Sequence, residues 1–558
     1  MPRLLALLLL TFPLSAQTWN QWAGGPRHTG ALPVYGQALR EQLANVVYDP
    51  FVPLERAEAG GTLLVHYQTP LSDGNDVFME VKGGTYTGFA SWHTQVWSVR
   101  KFEWQNGELV ERWTAQSDWD PVPAGPRFEP VFHSALANGF VYMAGRGGTV
   151  LEVDRSSGAI RRRLGMFSVT LDESLYVTSP ISAADDGSLY YNTLKLRAET
   201  PWQTDHDGAW LVKIAPDGTA TRVSYSALVP DAPAASAQCL SAFTAAERPW
   251  PPSPTAVPGT VLCGSQRAGV NVAPAIAADG TVYTASRTHL AGRWAWLVAV
   301  HGDLTPKWAR SLRNLFHDGC NVLLPPNGEP GGCRAGAMTG VDPADNQPGS
   351  GFVNDSSTAS PVVAPDGSVY YGSFTSYNFS QGHMVRFSAA GEFLSSYQFG
   401  WDVTPAIWEH DGTFSVVTKE NRYNAGIRPA GDRESYFITQ LSPNLDVEWK
   451  YQNTNTQSCE RQPDGSIACV DDHPNGFEWC VNSLAIDARG VVYVNSEDGH
   501  LYAINQGGTM RDRIFLQLAL GAAYTPLSLG VDGKIYTQNA GQLFVVGSNA
   551  PRRRAARH

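Results

Sequence analysis

From Asn482 to Asn505 the side chains Leu484, Ile486 and Ala488 alternate with Ser483, Ala485 and Asp487, and Arg489-Gly490 then turns the chain into the run Val491 to Val494. A period of two, a short glycine turn and a β-branched run with a tyrosine predict a hairpin. Asp498-Gly499 leads into Leu501 to Ile504, and Gln506-Gly507-Gly508 leads into Arg511 to Phe515. The stretch therefore predicts four antiparallel strands in sequence.

The inner hairpin recurs along the chain. Copies begin at Ser134, Ser179-Pro180, Ala273-Pro274, Ser360-Pro361, Thr404-Pro405 and Thr525-Pro526. Most turn at adjacent Asp-Gly, as at Asp186-Gly187, Asp279-Gly280, Asp366-Gly367, Asp411-Gly412 and Asp532-Gly533. Adjacent Asp-Gly suits a type I′ hairpin turn, which needs positive φ at both central residues, and proline suits the first residue of a strand, where no ladder donor is lost. A worn first copy is read at Ala59 to Val65. A four-stranded unit repeated at this spacing predicts an all-β chain forming a single β-propeller of four-stranded antiparallel blades. Eight blades are expected, with seven as the alternative. The spare strand Ala44 to Tyr48 is expected to complete the last blade, whose final copy stops at Gly547, so that two exposed edges vanish together.

The pattern Pro-x4-Asp-Gly-x-Val-Tyr, followed by a glycine turn and a strand ending in Trp, resembles the pyrroloquinoline-quinone (PQQ)-type, or quinoprotein-like, β-propeller repeat. Trp19 to Gly30, WNQWAGGPRHTG, is similar to the lead-in of that family's secreted members. The resemblance spans about Trp19 to Asn549 and implies the fold; the family includes dehydrogenases and assembly scaffolds, so it does not select an activity. The family's cofactor-using members carry two adjacent cysteines over the quinone, and no cysteines are adjacent here. Trp113, Trp308 and Trp449 stand where the family places its blade-docking tryptophan and read as packing between blades. Neither PQQ nor calcium is expected as a cofactor.

With strands A to D counted outward from the axis, A–B and C–D turns share one face, and B–C loops and D–A crossings share the other. The first set is short throughout. The second holds the long insertions: Pro70 to Gln95, Thr193 to Gly208 and Lys419 to Glu434 as B–C loops, and Ala227 to Gln266, Asn314 to Thr358 and Asn453 to Trp479 as crossings. Loops longer than about 12 to 15 residues are uncommon without a role, so the elaborated face is the expected working face. Six of the seven cysteines fall in those crossings, and the seventh, Cys480, directly follows the third. The expected disulfides are Cys239 with Cys263, Cys320 with Cys333 and Cys459 with Cys469, leaving Cys480 as the odd thiol; which of the last three is unpaired is left open by spacing.

Residues just before each A strand are expected to ring the mouth of the axial channel. The ligand-binding candidates are His133, Tyr176, Asn271, Asn354, Asp355, Trp401, Asp402, Asn482 and Tyr524. Aromatic planes beside amides and carboxylates suit a flat polar ligand such as a sugar; the competing reading is that these residues satisfy loop backbone and wedge between blades. Asp355 and Asp402 are the carboxylates weighed for acid–base glycan cleavage. Asp342, Asp345 and Asn346 lack the spacing of a calcium loop, and His317-Asp318 and Asp471-Asp472-His473 lie in turn-rich loops.

Residues 1–16 read as a signal peptide, 17–549 as the propeller and 550–558 as a disordered basic tail. The formal charge of −11 becomes −12 without Arg3 and −16 without Arg552, Arg553, Arg554 and Arg557. An acidic body repels phosphate backbones, which excludes nucleic acid as a partner class, and no later apolar run is long enough for a membrane span. The sequence reading is a secreted or periplasmic monomer that binds a protein or glycan of the cell envelope without catalysis. A PQQ-dependent dehydrogenase and a glycan-cleaving enzyme are the alternatives.

Overall fold

A computed structural model describes residues 18–61, 68–88, 91–125, 129–167, 169–378, 381–423, 434–521 and 525–548. The expected signal peptide (1–16) and basic tail (550–558) lie outside them. The described strands form eight four-stranded antiparallel blades around one axis. Blade 1 is Leu71–Asp73, Asp76–Gly84, Gln95–Gln105 and Glu108–Gln116. The innermost strands of blades 2 to 8 include Ala135–Ala137, Ser182–Ala183, Ala275–Ile276, Val362–Val363, Ala406–His410, Ala485–Ile486 and Ser528–Leu529.

Blade 1 corrects the sequence reading. The inner hairpin of blade 1 is Leu71–Asp73 with Asp76–Gly84 rather than the worn copy read at Ala59 to Val65, where Ala59 caps the helix Val52–Glu58 and residues 62–65 lie outside the described part. The hairpin lies instead inside the segment taken as a B–C insertion, Pro70 to Gln95, of which only residues 85–94 connect strands B and C. Its signal was Thr69-Pro70 with Asp73-Gly74, the usual pair at a shortened spacing.

Closure follows from strand pairing. Glu41–Val47 lies antiparallel to Gln542–Gly547 and supplies the outer strand of blade 8, with Val46 opposite Leu543. Before it, residues 19–37 wind once around the axis and meet the blades in numerical order. Trp19 exchanges two backbone hydrogen bonds of 3.0 Å with Ser72, and Leu136 donates to the Asn20 carbonyl at 2.7 Å. The Gln21 carboxamide brackets the peptide of Ala183. The amides of Ile276, Val363, Ile407 and Ile486 donate to the carbonyls of Pro26, Arg27, Thr29 and Gly30, and Gln37 donates to Gly533 in blade 8. Trp22 is fully buried, and its indole N–H donates to the Thr404 hydroxyl at 3.1 Å. Gly30 has φ +63, and a Cβ there would come within 2.6 Å of the Leu484 carbonyl, so the winding requires glycine at this point. The lead-in that resembles the quinoprotein-like family thus fills the axis.

Neighbouring blades lock through tryptophan. Trp308, on strand D of blade 4, donates to the Ala389 carbonyl at 3.0 Å and lies over Gly391 in the C–D turn of blade 5. Trp113 covers Gly158 of blade 2 in the same way, and Trp449 covers Gly508 of blade 7. The flat indole needs a surface without Cβ, which explains a glycine at each turn.

Candidate functional site

Strand direction puts the long connections at one end of the ring. The crossing from blade 3 to blade 4 carries the ribbon Gln238–Leu240 with Thr260–Leu262, and the crossing from blade 6 to blade 7 carries Gln457–Arg461 with Ile467–Asp471. Cys239 is bonded to Cys263, Cys320 to Cys333 and Cys459 to Cys469, while Cys480 is a free buried thiol. Each disulfide stays within one crossing. The crossings from blade 3 to blade 4 and from blade 4 to blade 5 share a small core in which Phe243 and Trp250 of the first and Leu324 of the second join Tyr377 from the B–C loop of blade 5, so these loops form a clamped layer on the ring.

The predicted mouth residues separate into four environments. His133, Asn271 and Asn482 are buried in a belt between blades. Asn271 accepts from Val131 at 2.8 Å, Asn482 donates to the Thr358 hydroxyl at 2.9 Å, and His133 stands edge-on to Trp22. Burial holds the imidazole of His133 down to about 3, so it is neutral at physiological pH. Asn354 and Asp355 lie where the inner strand of blade 5 is split, between Gly351–Phe352 and Val362–Val363. Asn354 accepts from the Ser356 amide and shapes a turn. Asp355 takes both Nη groups of buried Arg267, at 2.8 and 2.6 Å, and Arg287 at 2.9 Å. These guanidiniums hold its carboxyl far below the usual carboxylate range despite the opposing effect of burial. It is an ion-pair hub between blades 4 and 5.

Tyr176 is half-buried and lines a cleft of ≈ 380 Å³ with Trp92, His93 and Asp120. Trp401 and Asp402 line a shallow hollow with Lys419, Asn421 and Tyr423, and Trp401 packs edge-on to Phe374. Tyr524 lies outside the described residues. Of the candidates only Trp401 and Asp402 line one hollow together; His133, Asn271 and Asn482 share the buried belt, and Asn354, Asp355 and Tyr176 lie elsewhere.

Behind the hollow lies a carboxylate pair that sequence reasoning missed. The Tyr423 hydroxyl donates to Glu478 at 3.0 Å, and Gly521 donates to Glu497 at 2.8 Å. Burial raises both carboxyls, and the charge of Glu497 raises Glu478 further. The Cys480 thiol is pushed up well above its ordinary value by burial and by the same two carboxylates. Glu478 and Glu497 meet across two loops, one a crossing and one the B–C turn of blade 7, and no spacing rule links them. Of the dyads noted in the sequence, Asp318 meets His383 Nε2 at 2.9 Å under a stacked Phe316 and Asp472 meets His473 Nδ1 at 2.5 Å, while Asp342 of the weighed calcium loop pairs with Arg293.

No protein-family profile and no curated protein matches this chain. Solved structures match its fold. The quinohemoprotein alcohol dehydrogenase of Comamonas testosteroni superposes with a TM-score of 0.51 at 13% identity, covering 96% of this chain and 81% of that one. A europium-containing methanol dehydrogenase gives 0.49 at 10% identity, covering 94% and 89%. BamB from Moraxella catarrhalis gives 0.40 at 10% identity, covering 91% and 99%. The fold is that of the quinoprotein-type eight-bladed propellers. At these identities the likeness is one of fold.

That fold raises the question of a quinone with calcium. Among the described residues no group of three or more His, Cys, Asp or Glu side chains is arranged to hold a metal ion. The axis is occupied by residues 19–37, and Glu80 beside it is pushed up to about 7 by burial, which favours its neutral form. No chemistry is derived through a calcium-bound quinone. The disulfides fit an extracytoplasmic protein. Among the described residues no helix is long and apolar enough to cross a membrane.

Proposed function

We propose that this chain is an extracytoplasmic binding propeller that engages a protein or glycan of the cell envelope through its elaborated face, without catalysis. The observation that carries this reading is the clamped layer itself. Three disulfides staple its crossings, and their tips keep large apolar side chains in solvent: Val257 is 70% exposed, Met338 55% and Val470 65%. Apolar groups held out on stapled loops form a preorganised contact surface, because the ordering cost of binding is already met.

The test uses the full chain as bait against its own envelope extract after mild cross-linking. Val257→Ser, Met338→Ser and Val470→Ser together should abolish specific capture. Ile160→Ser, Phe393→Ser and Met510→Ser, on the outer strands, should leave it intact. Capture that survives the first triple variant, or no capture by the unaltered chain, refutes the reading.

Glu478 and Glu497 favour a second reading, glycan cleavage. Two carboxyls that meet in one site, both raised by burial and Glu478 further by the charge of Glu497, are the groups an acid–base pair needs. Hydrolysis of aryl glycosides that disappears in Glu478→Gln, with folding unchanged, would support it. No turnover by the unaltered chain refutes it.

A further inference from the structure

A cleft of ≈ 470 Å³ opens between blades 7 and 8, at the seam where the two ends of the chain meet. The Cys459–Cys469 ribbon overhangs it on one side and the closing strand Glu41–Val47 forms the other. Its volume lies within the range of about 300 to 1,000 Å³ usual for small-ligand sites.

Two features of its wall identify a ligand class. The first is charge. Arg56 and Arg461 both line the cleft, and Glu460 is its single acidic residue. Among the described residues neither guanidinium has a carboxylate within salt-bridge distance: Arg56 Nε donates to the Gly61 carbonyl at 3.4 Å, and Arg461 lies over the Phe515 ring. In a chain of net charge −11, two guanidiniums without a carboxylate among the described residues, lining one concave site, mark it for an anion. Guanidinium matches a carboxylate in two parallel hydrogen bonds.

The second feature is a chain of carboxamides. Asn45 Nδ2 donates to Gln542 Oε1 at 2.7 Å, and Gln542 Nε2 donates to Gln517 Oε1 at 2.5 Å. This relay leaves the Asn45 carbonyl oxygen at one end and the Gln517 amide N–H groups at the other, with Gln42 beside them on the wall. Each carboxamide offers a donor and an acceptor side by side, which matches vicinal hydroxyls. An acidic peptide would meet the guanidiniums with its carboxylates and the amide wall with its backbone, but it carries no vicinal hydroxyls, and titration with an oligoglutamate separates the two.

We infer that this seam cleft binds an acidic saccharide, a uronate-type sugar whose carboxylate lies between Arg56 and Arg461 and whose hydroxyls face the carboxamide chain. The assignment deepens the binding role proposed above and rests on it. The experiment is a calorimetric titration of the full chain with a tri-uronate, with a neutral trisaccharide of the same linkage, and with an oligoglutamate of equal charge. The tri-uronate should bind at least tenfold tighter than either comparator and weaken with added salt. Arg56→Gln and Arg461→Gln should each weaken it tenfold or more, while Arg222→Gln, on blade 3, should not. Equal binding of the oligoglutamate overturns the saccharide in favour of a peptide. Binding that both arginine variants retain, or no binding by the unaltered chain, overturns the site. The loop-tip variants leave Arg56 and Arg461 in place, so failed capture with a positive titration refutes the tip surface alone.

Discussion

Replacing Trp22 by alanine tests the central claim about the axis. Trp22 has no exposed surface. An aromatic side chain of this kind buries about 150–250 Å², which at ~25 cal/mol per Å² corresponds to roughly 4–6 kcal/mol. Measured Trp→Ala changes in cores cost about 3–5 kcal/mol, so ~4 kcal/mol is expected. With an unfolding entropy of about 2.1 cal/mol/K per residue, the 558-residue chain should lose only about 3 °C in Tm. The loss is small because the transition is large, and it is readable by scanning calorimetry repeated at several scan rates, since large chains often unfold irreversibly. Trp22→Phe should cost less, about 1 kcal/mol for the hydrogen bond, because the Thr404 hydroxyl keeps the Thr358 carbonyl as a partner. Trp308→Ala, at a blade interface away from the axis, calibrates the assay. A Trp22→Ala chain that melts with the unaltered protein, while Trp308→Ala falls by about 3 °C, would refute a packed axial segment.

Three further outcomes follow from buried charge and from the staples. The Glu80 carboxyl is pushed up from 4.5 to about 7 by burial, so the folded state holds its proton to higher pH than the unfolded chain; the stability this confers is complete below about pH 4.5 and is lost as pH rises through 7, by up to about 3 kcal/mol. Glu80→Gln should flatten that decline, and melting temperatures at pH 5 and pH 8 that keep the same gap in the variant would contradict it. Asp355→Asn strips two guanidiniums, Arg267 and Arg287, of their carboxylate and should cost about 3–5 kcal/mol in denaturant unfolding; a change within 0.5 kcal/mol would show the hub to be dispensable. Cys459→Ser with Cys469→Ser removes a cross-link spanning 10 residues, worth about 2–3 kcal/mol to the ribbon by chain entropy. Limited proteolysis should then cut between residues 453 and 479 while the blades remain intact, and an unchanged digestion pattern would count against the staple.

The blades and the closure were legible in the amino-acid order because they depend on neighbours. Alternation in Leu484, Ile486 and Ala488 sets which face is buried, adjacent Asp366 and Gly367 set a turn through a local hydrogen bond of 2.9 Å from the Ser368 amide to the Asp366 carboxylate, and an unpaired edge at each end of the chain calls for the other. Long connections on one face also follow from antiparallel order alone. The tertiary structure decided the rest. Residues 19–37 have no periodicity, and their partners lie as far away as Thr404 and Gly533, so only a closed ring reveals them as the filling of its axis. Blade 1 was misplaced because the spacing from Pro70 to Asp73 is compressed, and pattern reading keys on spacing. Glu478 with Glu497, Asp355 with Arg267, and Arg56 with Arg461 are brought together by loops and seams, whose geometry is set by packing among many residues and by ring closure rather than by any local rule.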